Sequence, residues 1–87
     1  MTDGPEKRRK RLMFRSHHMG TAENDHLFGG FAERHLVTMS DEDLIAYEAL
    51  LAENDGDLYK WVTGKEPVPA AHDHAVMDLI KTHKENL

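Results

Sequence analysis

The sequence predicts an all-α fold, a compact five-helix bundle that forms a single domain. Its 87 residues are enough for one domain and one small hydrophobic core. Val, Ile and Thr are scattered, and no stretch alternates apolar and polar residues as a half-buried strand would. Apolar residues instead recur at helical spacing, in segments separated by residues that begin or end helices. Short connections between the segments favour antiparallel neighbours.

The first helix is predicted over residues 6–19, after a disordered tail at residues 1–6. Pro5 suits the first turn of a helix, and Gly20 suits its C-terminal end. This helix has little apolar content, so we expect it to pack through one edge and to leave its basic side in water. The folded domain is then predicted over residues 7–87.

The second helix is predicted over residues 21–35, with Thr21 as its N-cap. Its apolar stripe contains Gly29 and Gly30. Each glycine costs about 1 kcal/mol relative to alanine inside a helix. The pair therefore indicates either a close-packing surface or a weak point in the helix.

Three further helices are predicted, over about residues 41–53, 57–63 and 70–85. Ser40, followed by acidic residues, is the predicted N-cap of the first of these, and Gly64 ends the second. The predicted core consists of the apolar residues that face inward at helical spacing, namely Leu27, Phe28, Phe31, Leu44, Tyr47, Leu51, Leu58, Trp61, Val76, Leu79 and Ile80.

The net charge of −5 is divided unevenly along the chain. Residues 1–15 carry a net charge of +4, whereas residues 16–87 carry −9. A basic arm on an acidic body suits binding to an acidic surface of another protein. The alternative is a small helical nucleic-acid-binding module that uses residues 7–15. The acidic body argues against that alternative, because it offers no basic face for phosphates.

Several classes of protein are disfavoured by what the sequence lacks. The chain has no cysteine, which excludes disulfides, thiolate catalysis and zinc–thiolate sites. Its apolar runs are far shorter than the roughly 20 residues that span a bilayer, and no signal-peptide core follows the basic start. No nucleophile motif or phosphate-binding loop is present. We therefore expect a protein of the bacterial cytoplasm that is not an enzyme, has no catalytic residue and does not insert into membranes.

Seven histidines invite a metal hypothesis. His17 and His18 are adjacent, and His72 and His74 are two residues apart, but neither spacing places two rings on one helical face. We therefore predict no metal site and no cofactor-binding site.

The junction between the first two helices is the predicted functional site. There a basic helix end meets a glycine turn, and carboxylates follow on the next first turn. A bare glycine allows close approach of a partner backbone. A capped helix junction without further function is the competing interpretation. The candidate partner-binding residues are Arg15, His17, His18, Met19, Gly20, Glu23 and Asp25.

Over about residues 8–84, the chain resembles the succinate dehydrogenase assembly factor family, whose members are called FAD assembly factors or flavinators. Each matching segment is short, but their order and spacing agree with the family pattern. The segments are residues 9–16 (the opening helix), Gly20-x-x-Glu23, residues 31–36, residues 54–61 (Asn-Asp-Gly-Asp-Leu-Tyr-Lys-Trp) and Pro67-Val68-Pro69.

The resemblance implies a five-helix assembly factor that binds the flavoprotein subunit of succinate dehydrogenase, and in some bacteria that of fumarate reductase. It also implies that the factor promotes the covalent bond between a histidine of that subunit and the 8α-methyl carbon of FAD. The bond is regarded as formed by flavin and flavoprotein themselves. The resemblance therefore implies an assembly factor that holds no FAD stably, and we expect it to be a monomer.

One position departs from the family pattern, because Met19 stands where the motif has an arginine. Only Gly20 and Glu23 therefore carry over directly. We expect Arg15 and the adjacent histidines to supply the missing positive charge, which would make partner binding sensitive to pH. We also expect Gly20→Arg and Glu23→Ala to abolish stimulated flavinylation without unfolding the bundle.

Overall fold

The structure, a computed structural model, describes residues 4–87. Within that part of the chain it contains five α-helices, two short 3₁₀-helices and no strand, which confirms the predicted all-α fold. The Cα radius of gyration is 12.1 Å, close to the value of about 12 Å expected for one compact domain of this length. The α-helices are α1 (Pro5–His17), α2 (Ala22–His35), α3 (Asp41–Leu51), α4 (Asp55–Val62) and α5 (Ala75–Glu85), and the 3₁₀-helices are Leu36–Thr38 and Ala70–His72.

Side-chain caps set where most of these helices begin. The predicted caps Thr21 and Ser40 are confirmed, since each side chain accepts a hydrogen bond from a backbone N–H of the following first turn. Asn54 caps α4 in the same way, so that helix begins two residues before its predicted start. His74 caps α5 through its ring nitrogen. At each of these helix starts, the cap supplies an acceptor for a backbone N–H group that has no partner within the helix.

The ends of the chain differ from the predicted boundaries. Of the predicted disordered tail, residues 1–3 lie outside the described residues, and Pro5 already belongs to the first turn of α1. The predicted fifth helix is shortened at its start. Residues 70–72 form a separate 3₁₀ turn, and Asp73, with φ −87° and ψ 81°, leaves helical geometry before α5 begins.

The core follows the predicted stripes with one exception on α5. Leu79 is 38% exposed, and Met77 is buried in its place. The inward face of α5 consists of Val76, Met77, Ile80 and His83, so Leu79 lies at its margin. Seven further apolar residues that the predicted core left out are also buried, namely Leu12, Met19, Ala32, Leu36, Met39, Leu50 and Val62.

The two glycines of α2 provide close-packing surfaces. A Cβ atom on Gly29 would lie 2.5 Å from Nδ1 of His17, and a Cβ atom on Gly30 would lie 3.2 Å from Nε2 of His83. Helices α1 and α5 therefore approach α2 at adjacent positions, where an added methyl group would displace the His17 ring and crowd the His83 ring. The glycine pair is therefore a close-packing surface and not a weak point of α2.

Helix α1 is attached to the body by polar as well as apolar contacts. Its Arg9 guanidinium donates hydrogen bonds of 2.8 Å to the carbonyl oxygens of Leu36 and Met39. Its Arg15 donates through Nη2 to the carbonyl oxygen of Leu51, at 2.9 Å. These carbonyls lie at or near the ends of helices, where backbone acceptors lack intrahelical partners. The expectation that the basic side of α1 is left in water is therefore wrong for these two arginines.

A buried pair of hydroxyl groups links α1 to α3. Ser16 Oγ donates to the carbonyl oxygen of Leu12 at 2.7 Å and lies 2.6 Å from the Tyr47 hydroxyl. Since the single serine proton goes to Leu12, Tyr47 donates to Ser16. Both side chains are fully buried, and burial raises the pKa of Tyr47 well above its ordinary value. The tyrosine therefore stays a donor at all physiological pH values.

His83 is buried against α2, and its Nε2 has no hydrogen-bond partner among residues 4–87. Burial lowers the pKa of His83, and the positive charges of Arg34, His35 and His26 act in the same direction. The fold therefore disfavours protonation of this ring.

The Ser16–Tyr47 pair should respond unequally to loss of either hydroxyl. Ser16→Ala leaves the Tyr47 hydroxyl buried without an acceptor, and we expect it to lower the free energy of unfolding by about 1–3 kcal/mol. Tyr47→Phe leaves Ser16 bonded to Leu12, so a loss of only about 0.5–1.5 kcal/mol is expected. Urea denaturation of both variants and of the double variant measures these values. A larger loss for Tyr47→Phe than for Ser16→Ala would contradict the assigned direction of the bond.

The buried His83 should make stability depend on pH. Because its pKa is lower in the folded chain, the unfolded chain takes up a proton first as pH falls. We therefore expect the free energy of unfolding to decrease as pH drops below about 6.5, the ordinary pKa of histidine. Denaturation between pH 5 and pH 7.5 should give a shallower slope for His83→Gln than for the unaltered protein. The same substitution at His18, which is exposed and is not among the groups that act on His83, serves as the control, and equal slopes for the two variants would refute the assignment to His83.

Candidate functional site

The turn between α1 and α2 is closed by hydrogen bonds within the chain. We call its surroundings the docking corner, defined by the seven candidate residues of the sequence analysis. The backbone N–H of His18 donates to the carbonyl of Arg15, and that of Met19 donates to the carboxylate of Asp25. Gly20 follows with φ +117°. The corner is therefore a fixed turn that α2 holds through Asp25.

Gly20 serves the chain's own packing. A Cβ atom at this position would lie 2.7 Å from Oδ2 of Asp55, and its positive φ is one that other residues rarely adopt. Asn24 donates through Nδ2 to the carbonyl oxygen of Asp55, at 3.0 Å. The start of α4 therefore lies directly against the turn. Gly20 was predicted to end the first helix and to admit a partner backbone, and its contact with Asp55 was not predicted.

Met19 does not lie on the surface as the sequence analysis expected. Its residual exposure is 3%, and it belongs to the hydrophobic core. Helix α1 ends at His17, and the chain then turns inward, which buries the thioether beneath Arg15. Arg15 Nη1 lies 3.6 Å from the sulfur of Met19 and donates to the carbonyl oxygen of His18 at 3.2 Å. The docking corner therefore has a buried apolar side chain beneath its polar surface.

The two histidines have separate surroundings. The ring of His17 lies against Gly29, and its Nε2 is 3.5 Å from the carboxylate of Glu33. Gly29 is about 9 Å along α2 from Glu23, at a rise of roughly 1.5 Å per residue. His17 is therefore not brought beside Glu23, contrary to expectation. His18 instead stacks on Phe14 at 4.1 Å, with its Nδ1 2.7 Å from the Phe14 carbonyl oxygen.

Glu23 lies on the rim of a groove between the starts of α2 and α4. Its side chain is exposed and has no hydrogen-bond or ion-pair partner in the described part of the chain. Across the groove, the Nζ of Lys65 lies 5.4 Å from the centre of the Tyr59 ring. The groove has a volume of about 360 Å³ and is lined by Thr21, Glu23, Asn24, Asp55, Gly56, Tyr59, Lys60 and Lys65.

Sequence reasoning missed the contribution of α4 to this site. Asp55 and Tyr59 lie more than 30 positions from the turn in sequence, yet they form one wall of the groove. The only available signal was the segment at residues 54–61, which was singled out for its family resemblance and was not connected to the turn. The contact depends on how the helices pack, which a local pattern does not describe.

The chemistry of the site suits recognition of a partner. The groove is lined by negatively charged carboxylates, positively charged amines and one aromatic ring. Nowhere in residues 4–87 do three or more His, Asp or Glu side chains come together as a metal site would require. No helix within that range has the length and apolar character needed to cross a membrane. A fixed turn with an unpaired exposed carboxylate offers a rigid surface for binding.

The comparisons with known proteins agree on one family. A family model described as "Flavinator of succinate dehydrogenase" matches residues 10–84. Among curated proteins, the chain is 39% identical over 83 residues to "Succinate dehydrogenase assembly factor 2-A, mitochondrial" of Drosophila yakuba, covering 93% of this chain and 51% of that one. It is 40% identical over 81 residues to "Succinate dehydrogenase assembly factor 2, mitochondrial" of Danio rerio, covering 91% of this chain and 51% of that one.

The chain spans about half the length of the curated relatives it matches. Their names describe mitochondrial proteins, so they lend no support to the expected location in a bacterial cytoplasm. That location stays an expectation drawn from composition.

The positive φ of Gly20 and its contact with Asp55 make a structural prediction. We expect Gly20→Ala to lower the free energy of unfolding by about 1–3 kcal/mol, through backbone strain and crowding of the carboxylate. The same crowding applies to Gly20→Arg, so any loss of function in that variant has to be separated from loss of stability. Chemical denaturation measures the effect.

Gly64→Ala is the matched control, because Gly64 also has a positive φ, of +79°, but nothing lies within 4 Å of its added Cβ. It should show a smaller loss, because the Asp55 contact is absent and because a φ of +79° lies nearer the left-handed helical region than a φ of +117° does. Equal losses at the two glycines would show that Asp55 does not restrict position 20.

Proposed function

Because the chain belongs to the family of succinate dehydrogenase flavinators, we propose that it binds the flavoprotein subunit of succinate dehydrogenase and promotes covalent attachment of FAD to it. The observation that carries this proposal is the family match across residues 10–84, which includes the whole docking corner. The proposal also includes a non-enzymatic role, in which FAD remains on the partner and this chain holds no cofactor.

In this proposal, the chain acts by holding one conformation of its partner. The bond forms between a histidine of the flavoprotein and the 8α-methyl carbon of FAD, and correct placement of two reacting groups can accelerate such a step greatly. A binding protein achieves this by favouring the aligned conformation over others. The fixed turn at Gly20, secured through Asp25 and Asp55, supports such a role, because a rigid surface selects among partner conformations more sharply than a mobile one.

Glu23 is the residue of the corner that we propose to contact the partner directly. Its side chain is exposed and has no hydrogen-bond or ion-pair partner among residues 4–87, so it is free to contact a partner. Gly20 supports that contact by permitting the turn. Arg15 is a less direct participant, because its guanidinium already donates to carbonyl oxygens within the chain. The exposed His17 and His18 therefore remain the candidates for pH-sensitive charge at the corner, and that sensitivity stays a prediction.

The alternative function, binding of nucleic acid through α1, is less well supported. A phosphate-binding helix needs cations that are free to reach the backbone of the nucleic acid. Arg9 and Arg15 donate to backbone carbonyls, and Arg11 pairs with Glu48 at 3.0 Å.

Two further expectations stay predictions, namely that the chain also assists fumarate reductase and that it is a monomer.

The proposal is tested with purified flavoprotein subunit, FAD and this protein, with covalent flavin measured by fluorescence in a denaturing gel. We expect the protein to increase covalent flavin and Glu23→Ala to reduce that increase roughly tenfold or more, because a desolvated charged contact is lost. Glu23→Ala should lower the free energy of unfolding by less than about 1 kcal/mol, the usual helix-dipole contribution.

Glu42→Ala is the matched control. Glu42 is likewise an exposed acid in the first turn of a helix, so its removal has a comparable effect on the helix dipole. It should retain full stimulation. The proposed function fails if the unaltered protein produces no increase in covalent flavin. The assignment to Glu23 fails if both variants retain stimulation.

A further inference from the structure

An apolar groove lies between α1 and the 3₁₀-helix Leu36–Thr38. Two large apolar side chains on its walls are exposed to water, Phe14 to 66% and Val37 to 77%. Contiguous apolar surface of this kind is uncommon unless something binds there. We call it the α1 groove. Its volume is about 420 Å³, and its lining consists of Arg9, Lys10, Met13, Phe14, Leu36 and Val37.

The groove is held in shape by the hydrogen bonds of Arg9. Its guanidinium spans from α1 to the carbonyl oxygens of Leu36 and Met39, which fastens the 3₁₀ segment against the helix. Leu36 then points into the core with 1% exposure, and Val37 points outward. Met13 lies on the floor and packs against the core. The exposure of Val37 therefore follows from a fixed backbone arrangement.

The rim of the groove carries positive charge. Lys10 is exposed on the rim, and the Arg9 guanidinium, although hydrogen-bonded to the carbonyl oxygens of Leu36 and Met39, keeps its positive charge in the wall beside it. An apolar groove with a cationic rim is complementary to an apolar side chain flanked by carboxylates. An uncharged segment would gain only the apolar contact, and a basic segment would be repelled by the rim.

We propose that the α1 groove binds an acidic segment of the flavoprotein subunit, anchored by one aromatic or long aliphatic side chain seated between Phe14 and Val37. This inference rests on the proposed function. The groove adjoins the docking corner, because His18 of the corner stacks on Phe14 at 4.1 Å. One partner can therefore contact both surfaces at once.

A second copy of this chain is a poorer occupant of the groove. Two copies related by a two-fold axis through the groove would bring Arg9 and Lys10 of one copy against those of the other, and like charges in contact oppose association. Insertion of a different face of a second copy would be a heterologous contact, which forms rings or open filaments. An acidic partner segment avoids both difficulties.

Affinity for the purified flavoprotein subunit tests the proposal. We expect Val37→Asp to weaken binding roughly tenfold or more, because it removes an apolar contact and places a carboxylate against an acidic segment. Val37 is exposed, so the substitution should leave the bundle folded, which circular dichroism and thermal unfolding verify.

Ile45→Asp is the matched control. Ile45 is also an exposed aliphatic residue, at 55%, but it lies on α3 in a separate pocket with Pro5, Arg8 and Asp41, none of which lines the α1 groove. Its affinity should stay within about twofold of the unaltered protein. Equal affinities for Val37→Asp and the unaltered protein would overturn the groove proposal.

Two further measurements identify the occupant. Lys10→Glu should weaken binding, and its effect should shrink as salt concentration rises, since exposed charges are screened. A benzophenone side chain introduced at position 37 should cross-link to an acidic segment of the flavoprotein subunit, located by peptide mapping. Cross-links only between two copies of this chain, or only to a segment without acidic residues, would overturn the proposal.

Flavinylation measured in parallel separates this inference from the proposed function. If the unaltered protein stimulates flavinylation and Val37→Asp does so with unchanged affinity, the groove proposal alone fails. If the unaltered protein neither binds the subunit nor stimulates flavinylation, both proposals fail together.

Discussion

The attachment of α1 to the body is the constraint on which the rest of the structure depends. This helix is strongly basic and buries only Leu12 and Ser16, too little apolar surface to hold a helix of 13 residues by hydrophobic burial alone. Hydrogen bonds from Arg9 and Arg15 to backbone carbonyls add to that burial, as does the Ser16–Tyr47 contact. Each arginine donates to carbonyl oxygens at or near helix ends, where backbone acceptors have few partners within the helix. The same contacts therefore hold α1 in place and supply hydrogen-bond donors to the ends of other helices.

Both proposed binding surfaces follow from this attachment. The docking corner begins where α1 ends, and the α1 groove exists because Arg9 holds the 3₁₀ segment beside the helix. A displaced α1 would remove His17 from Gly29 and would uncover Met19. A protein that acts by positioning its partner needs such rigidity, because a surface that moves freely selects no partner conformation. Stability and the proposed function therefore depend on the same few hydrogen bonds.

Met19 changes the chemistry of the docking corner although its own side chain is buried. An arginine at this position, as in the family pattern, would carry a charge that needs water or a partner. The methionine is buried instead, with Arg15 lying over its sulfur. The positive charge near the turn thus comes from Arg15, four residues earlier in the sequence, and its guanidinium already donates to the carbonyl oxygens of His18 and Leu51. Glu23 is left as the exposed charge of the corner that has no partner in the described chain.

Local chemistry in the sequence was enough to determine the fold class and much of the core. Thr21 and Ser40 begin their helices as predicted, because a cap depends on residues three positions apart. Helical spacing placed Phe28, Phe31 and Leu44 inside for the same local reason. The order of short motifs indicated the family. The tertiary structure decided the contacts between residues distant in sequence, such as Asp55 against Gly20 and Arg15 over the end of α3. It also decided that Met77 is buried on α5 while Leu79 is exposed. These depend on how helices meet, and periodicity along a single helix contains no information about its neighbours.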